Sequence, residues 1–157
     1  MPLSGDILAK AVAKNQPVKL AALEGQFETE PGAPLRIGGF PNEETGWTDY
    51  AVEIPYLLSI LAHGDPNAEV KGLNDFPKDT HPPVAVVHFA FQVMVGCGML
   101  MMAIAVWSAW RFWRGLRDKS KMWFDSPWFL RSLVAAAPLG FIAIETGWTV
   151  PEVGRQP

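Results

Sequence analysis

The sequence predicts an all-α membrane protein: two transmembrane helices preceded by a mostly helical segment outside the cytoplasm, together a piece of a larger polytopic bundle. Three observations carry this expectation. The run from Val84 to Trp110 contains no Asp, Glu, Lys or Arg. A second run, from about Trp128 to Val150, has a charge-free interior from Ser132 to Ile144. The connection between them, RFWRGLRDKSKMWFDSP, is strongly basic.

The first run reaches about 40 Å as a helix at 1.5 Å per residue, and the hydrocarbon core is about 30 Å thick. It can therefore cross a bilayer even when tilted. In the second run Arg131 lies one turn from an end and can snorkel to the headgroups. Trp107, Trp110, Trp113, Trp123, Trp128 and Trp148 gather near the expected interfaces, as an aromatic belt does. The connection carries Arg111, Arg114, Arg117, Lys119 and Lys121 against Asp118 and Asp125, and the positive-inside rule places it in the cytoplasm.

The expected organisation is residues 1–82 outside the cytoplasm, 83–111 as the first span and 112–126 as the cytoplasmic loop. Residues 127–150 form the second span and 151–157 the outer end. The opening residues, MPLSGDILAKAVAKNQPVK, lack an apolar core of signal-peptide length. Either the orientation is inverted or a membrane segment upstream is missing; the second is the favoured reading, so the chain reads as the C-terminal part of a longer protein.

Within residues 1–82 a helical pattern covers residues 5–14, and Pro17 suits the first turn of a second helix running through KLAALEGQFE. Lys19, Leu23 and Phe27 would then share a stripe, with Lys19 and Glu24 five residues apart and about 140° around the axis. Two alternating runs between Leu35 and Ile54, separated by PNEETG, suggest a hairpin. IPYLLSILAHG reads as a short helix ended by Gly64, and GLNDFPKDTHPP leads into the first span.

Composition excludes several functions. The net charge of −3 and the absence of a basic patch with interleaved aromatics argue against nucleic acid. The single cysteine, Cys97, excludes an internal disulfide framework, and its apolar setting suits a packed thiol. No phosphate loop and no nucleophilic triad stands out.

Glu145 is the most informative residue. A carboxylate within an apolar span costs on the order of 2.5–3.5 kcal/mol on insertion scales, so it calls for a proton, a metal or a haem iron as partner. With Trp148, Thr149 and Glu152 it forms one stripe, and Arg155 follows. Met94 offers a thioether able to ligate haem iron, although methionine also serves as a gap-filler. His88 lies six residues before Met94, about 240° around the helix, so the two do not serve one iron from one face. Gly96 and Gly98 allow close approach of a helix or a flat cofactor. For Lys19 and Glu24 a solvated face is the plain alternative.

The runs QPVKLAALEG, EIPYLLSILAHGD, VKGLNDFP, FAFQVMVGCGM and ETGWTVPEVGRQP resemble, in order, subunit I of cytochrome bd-type quinol oxidases, especially the cyanide-insensitive branch with a short quinol loop. The resemblance covers nearly the whole chain but only the later part of that subunit. It implies that residues 1–82 are the quinol-loop segment and that Lys19 and Glu24 take part in quinol binding and oxidation. It makes Met94 the axial ligand of a low-spin haem b and Glu145 the glutamate of a high-spin haem b. Gln92, Arg155 and Gln156 fall near the haems, with Gln92 standing where many members carry arginine. The histidines that complete the family's haem sites belong to earlier helices and match none of His63, His81 or His88.

The implied protein is part of a bacterial plasma-membrane terminal oxidase that oxidises quinol and reduces dioxygen to water. Haem d, or a haem b in its place, fills the oxygen site. The implied partners are subunit II, the missing N-terminal part of the same subunit and the lipid bilayer. Two rival readings remain: a non-enzymatic two-span assembly or binding protein, and a transporter fragment using Glu145 for proton coupling.

Overall fold

The computed structural model describes residues 10–117 and 126–154. The described chain falls into two compact units, residues 1–92 with 149–157 and residues 93–148. Each is taken in turn.

The first unit opens with a helical stretch over residues 10–15 (α1), then α2 (Pro17–Glu24). Pro17 occupies the first turn, where its missing N–H leaves no bond unmade. The helix ends at Gly25, earlier than the expected KLAALEGQFE. Gly25 is left-handed at φ 62°, and the Gln26 N–H closes the turn on the Ala21 carbonyl at 2.8 Å. A Cβ at position 25 would lie 2.6 Å from Thr48 Oγ1, so glycine is required by space as well as by φ. Phe27 therefore leaves the stripe of Lys19 and Leu23, yet it is still buried in the core.

Six short strands follow: β1 (Glu30–Pro31), β2 (Leu35–Ile37), β3 (Phe40–Asn42), β4 (Trp47–Asp49), β5 (Val52–Ile54) and, after α3 (Leu57–His63), β6 (Glu69–Val70). They pair as three antiparallel ladders, β1 with β6, β2 with β5 and β3 with β4. These strands qualify the expectation of a mostly helical segment. The expected hairpin is present, with PNEETG at its tip: the Asn42 carbonyl accepts from Gly46 N at 3.0 Å and Asn42 Oδ1 from Glu44 N at 3.0 Å. One register runs through both ladders, with Asn42 opposite Trp47 and Arg36 opposite Glu53. The expected short helix is α3, closed by left-handed Gly64.

The core of this unit joins Val18, Ala21, Ala22, Leu23 and Phe27 to Leu73, Val84, Val87, Ala90 and Val150. The segment before α4 is thus fastened to the first turns of α4 (Val84–Arg117) and to the end of α6 (Leu139–Val153). A second cluster, Leu20, Ala33, Leu58, Ala62 and Val70 among it, packs the strands against α3.

The second unit holds the rest of α4, then α5 (Pro127–Ala136) and most of α6. Two helical stretches, Val84–Arg117 and Pro127–Val153, are long and apolar enough to cross a membrane. The first runs six residues past the expected end at 111. The second is not one helix: it breaks at Ala137 and Pro138, where proline has no N–H to donate and its ring crowds the preceding turn. Pro151, expected to disturb the end of the second span, lies inside α6. Arg114 stacks on Trp110, Arg117 on Trp113 and Arg131 on Trp128, with guanidinium carbons 4.4–5.2 Å from the ring centres. Such pairs suit the membrane–water boundary, where an apolar ring and a charged head are both accommodated. Asp118, Lys119, Lys121, Trp123 and Asp125 lie outside the described residues.

Candidate functional site

The last turn of α2 buries Glu24, which is only 4 % exposed. Burial pushes its carboxyl up from an ordinary 4.5 to about 8, against the opposing pull of the Arg36 guanidinium. Among the described residues, its Oε2 has no hydrogen-bond partner. A buried, orphaned oxygen on an ionisable group is costly unless something outside the chain satisfies it.

Arg36 sits on β2, also 4 % exposed. Its Nε donates to Glu53 Oε1 at 2.9 Å and its Nη2 lies 3.5 Å from Glu30 Oε1. Nη1 donates to Gln26 Oε1, and the guanidinium lies 5.2 Å from the centre of the Trp47 ring. Gln26, fully buried, donates in turn to the Glu28 carbonyl and to Glu30 Oε1. Arg36 therefore acts on Glu24 while itself tied to two carboxylates, Glu30 and Glu53.

Lys19, half-buried, lies one turn and a residue before Glu24 on α2. Its Cε is 3.5 Å from where a Cβ at Gly154 would be, so the lysine stem lies beside the glycine of GRQP at the end of α6. No bond joins Lys19 to Glu24 among those the structure gives. Arg155 and Gln156 lie outside the described residues.

Gln92 uses both ends of its amide on the segment before α4. Its Nε2 donates to the Arg36 carbonyl at 2.8 Å, and its Oε1 accepts from Gly38 N at 3.3 Å. One turn earlier His88, fully buried, faces the Leu23 carbonyl at 2.8 Å through Nδ1 and the Gly38 carbonyl at 3.2 Å through Nε2. The other candidate histidines are also placed: His81 Nε2 meets the Phe76 carbonyl at 3.1 Å, and His63 is exposed at the end of α3.

In the second unit Met94 is half-buried, with Sδ 3.1 Å from where a Cβ at Gly147 would be. Glycine at 147 is what leaves room for the thioether. Glu145 lies on an exposed face of α6, where it makes an interaction of its own. Cys97 is a buried free thiol. A soft thioether is a donor type that haem iron takes. No cluster of three or more His, Cys, Asp or Glu occurs among the described residues, so a complete ligand set is not assembled from them.

Sequence reasoning missed Arg36, Gln26, Glu30 and Glu53. One signal was available for two of them. Extending the hairpin register outward from PNEETG brings Arg36 opposite Glu53.

The whole chain, residues 1–157, matches the family model of cytochrome bd terminal oxidase subunit I. The chain belongs to that family. It is 42 % identical, over 99 % of its length, to a protein of Bacillus subtilis (strain 168) assigned as a cytochrome bd menaquinol oxidase subunit I, of which it covers 34 %. It is 32 % identical to the cytochrome bd ubiquinol oxidase subunit 1 of the same organism, again covering 34 % of it. Among solved structures it is similar to the bd oxidase from Geobacillus thermodenitrificans, with a TM-score of 0.82 and 47 % identity over 99 % of this chain and 34 % of that one. The chain thus spans about a third of the length of the relatives it matches.

Proposed function

We propose that this chain contributes the quinol-oxidising loop and two haem-ligating spans to a terminal oxidase that passes electrons from quinol to dioxygen. The observation that carries this reading is Glu24: a buried carboxyl with an unsatisfied oxygen, faced by Arg36, at the end of a helix that also bears Lys19. A quinol hydroxyl is the right chemistry to satisfy it.

Oxidation of a quinol releases two protons and two electrons. The Glu24 carboxylate accepts one hydroxyl proton, for which its raised basicity strengthens it, and the second proton leaves to water on the outer side. Arg36 keeps the charged form accessible despite burial. Lys19, a donor of up to three hydrogen bonds, steadies the partner oxygen. Met94 and Glu145 are the residues that would hold haem iron, and a bound haem supplies one-electron transfer and oxygen reduction. Residues 1–82 and the GRQP end lie outside the cytoplasm in this reading, and the basic loop inside. Subunit II and the remainder of subunit I complete the assembly.

The test is steady-state quinol oxidation by the assembled oxidase carrying Glu24→Gln, with the dithionite-reduced haem spectrum as control. A loss of about 10²–10⁴-fold in quinol turnover, typical of a removed general base, is expected with an unchanged spectrum. Wild-type quinol kinetics in this variant would remove Glu24 from the reaction.

A further inference from the structure

The first turns of α4 present two polar side chains, one turn apart, to the backbone on either side of the Glu24–Arg36 pair. His88 holds the Leu23 carbonyl, the residue before Glu24, and reaches the Gly38 carbonyl two residues beyond Arg36. Gln92 holds the carbonyl of Arg36 itself and the N–H of Gly38.

We propose that His88 and Gln92 form a latch that holds Glu24 and Arg36 in register for quinol oxidation, with His88 as a positioning residue. This rests on the quinol-loop reading and deepens it. Three physical points support it. The carbonyls in the last turn of a helix have no partner within that helix, and in this dry setting the imidazole supplies one for Leu23. Both partners of the ring are acceptors, so each contact needs a ring N–H; a neutral imidazole satisfies one at a time and the imidazolium both. The contacts also span large gaps in sequence, 65 residues to Leu23 and 56 from Gln92 to Arg36, so they order segments that local structure does not. The Gly25 turn packs beside the ring, with a Cβ there in ordinary contact at 3.4 Å from His88 Nδ1 and in clash at 2.6 Å from Thr48 Oγ1.

The charged and titratable groups around the pair are Lys19 on α2, Glu30, Arg36 and Glu53 on the strands and His88 on α4. Of these Arg36 acts on Glu24 directly. A latch that loosens lets Arg36 drift and alters the acidity of Glu24 without touching the haem ligands.

The experiment uses the assembled oxidase with His88→Asn and His88→Gln, assayed with a short-chain quinol across pH. Asparagine is too short to span both carbonyls, whereas glutamine carries two N–H donors on a longer stem. His88→Asn is expected to lower kcat/KM about tenfold, as for a lost buried hydrogen bond, and to move the acid limb of the pH profile. The dithionite-reduced haem spectrum should stay normal, and His88→Gln should recover most of the loss and the original limb. The latch is overturned if His88→Asn keeps wild-type kinetics and limb, if glutamine rescues neither, or if spectrum and activity fall together in both variants. Glu24→Gln separates the two levels. Should it leave quinol kinetics intact, the quinol reading fails; should it abolish the limb while His88→Asn changes nothing, the latch alone fails.

Discussion

Glu24 is stabilised in its neutral form by burial and pulled toward its charged form by Arg36, and burial prevails. With its carboxyl at about 8, about one copy in ten is ionised at pH 7. For the free enzyme, kcat/KM for quinol should therefore rise with pH through about 8, and Glu24→Gln should remove that limb. The same residue links pH to stability. Its folded-state value lies above the ordinary 4.5, so the fold binds this proton more tightly than the unfolded chain does. That contribution is complete below pH 4.5 and is lost as pH rises through 8. Thermal denaturation of the oxidase carrying Glu24→Gln should accordingly show a shallower fall in stability between those limits than the wild type. Gly25 gives a purely structural counterpart. Its φ of 62° and the 2.6 Å clash with Thr48 Oγ1 mean that Gly25→Ala should lower the melting temperature, by a destabilisation of about 1–3 kcal/mol.

At the level of elements, the sequence was legible where a local signal stood out from its surroundings. Charge-free runs marked both spans, Pro17 marked the start of α2 and PNEETG marked the hairpin tip. The break at Pro138 was equally local and was hidden by the apolar run around it, which reads as one span by hydropathy alone. Around the candidate site, Glu24 stood out in the sequence and is buried, whereas the network around Arg36 was invisible. Its partners come from separate strands and from a helix more than fifty residues on, and no short-range pattern encodes such contacts. Gly147 also acts at this scale, by making room on α6 for the Met94 thioether. Gly147→Val should displace Met94 and change the low-spin haem b band in reduced-minus-oxidised spectra. An unchanged band would mean that the thioether position does not depend on that gap.

For the whole molecule, the two units divide the work in the proposed oxidase. The segment before α4, fastened to the start of α4 and the end of α6, carries Lys19 and Glu24. The spans carry Met94 and Glu145, and the Arg–Trp pairs suit the boundary beside the basic loop. Electron entry and haem ligation are then separable by mutation: Met94→Leu should abolish the low-spin band, whereas Glu24→Gln should not. The most direct measurement is the rate of haem reduction in the assembled oxidase carrying Glu24→Gln, with quinol as donor and then with dithionite. Slow reduction by quinol alongside normal reduction by dithionite is the predicted result. Equal rates to wild type with both donors would contradict the assignment of this loop as the site of quinol oxidation.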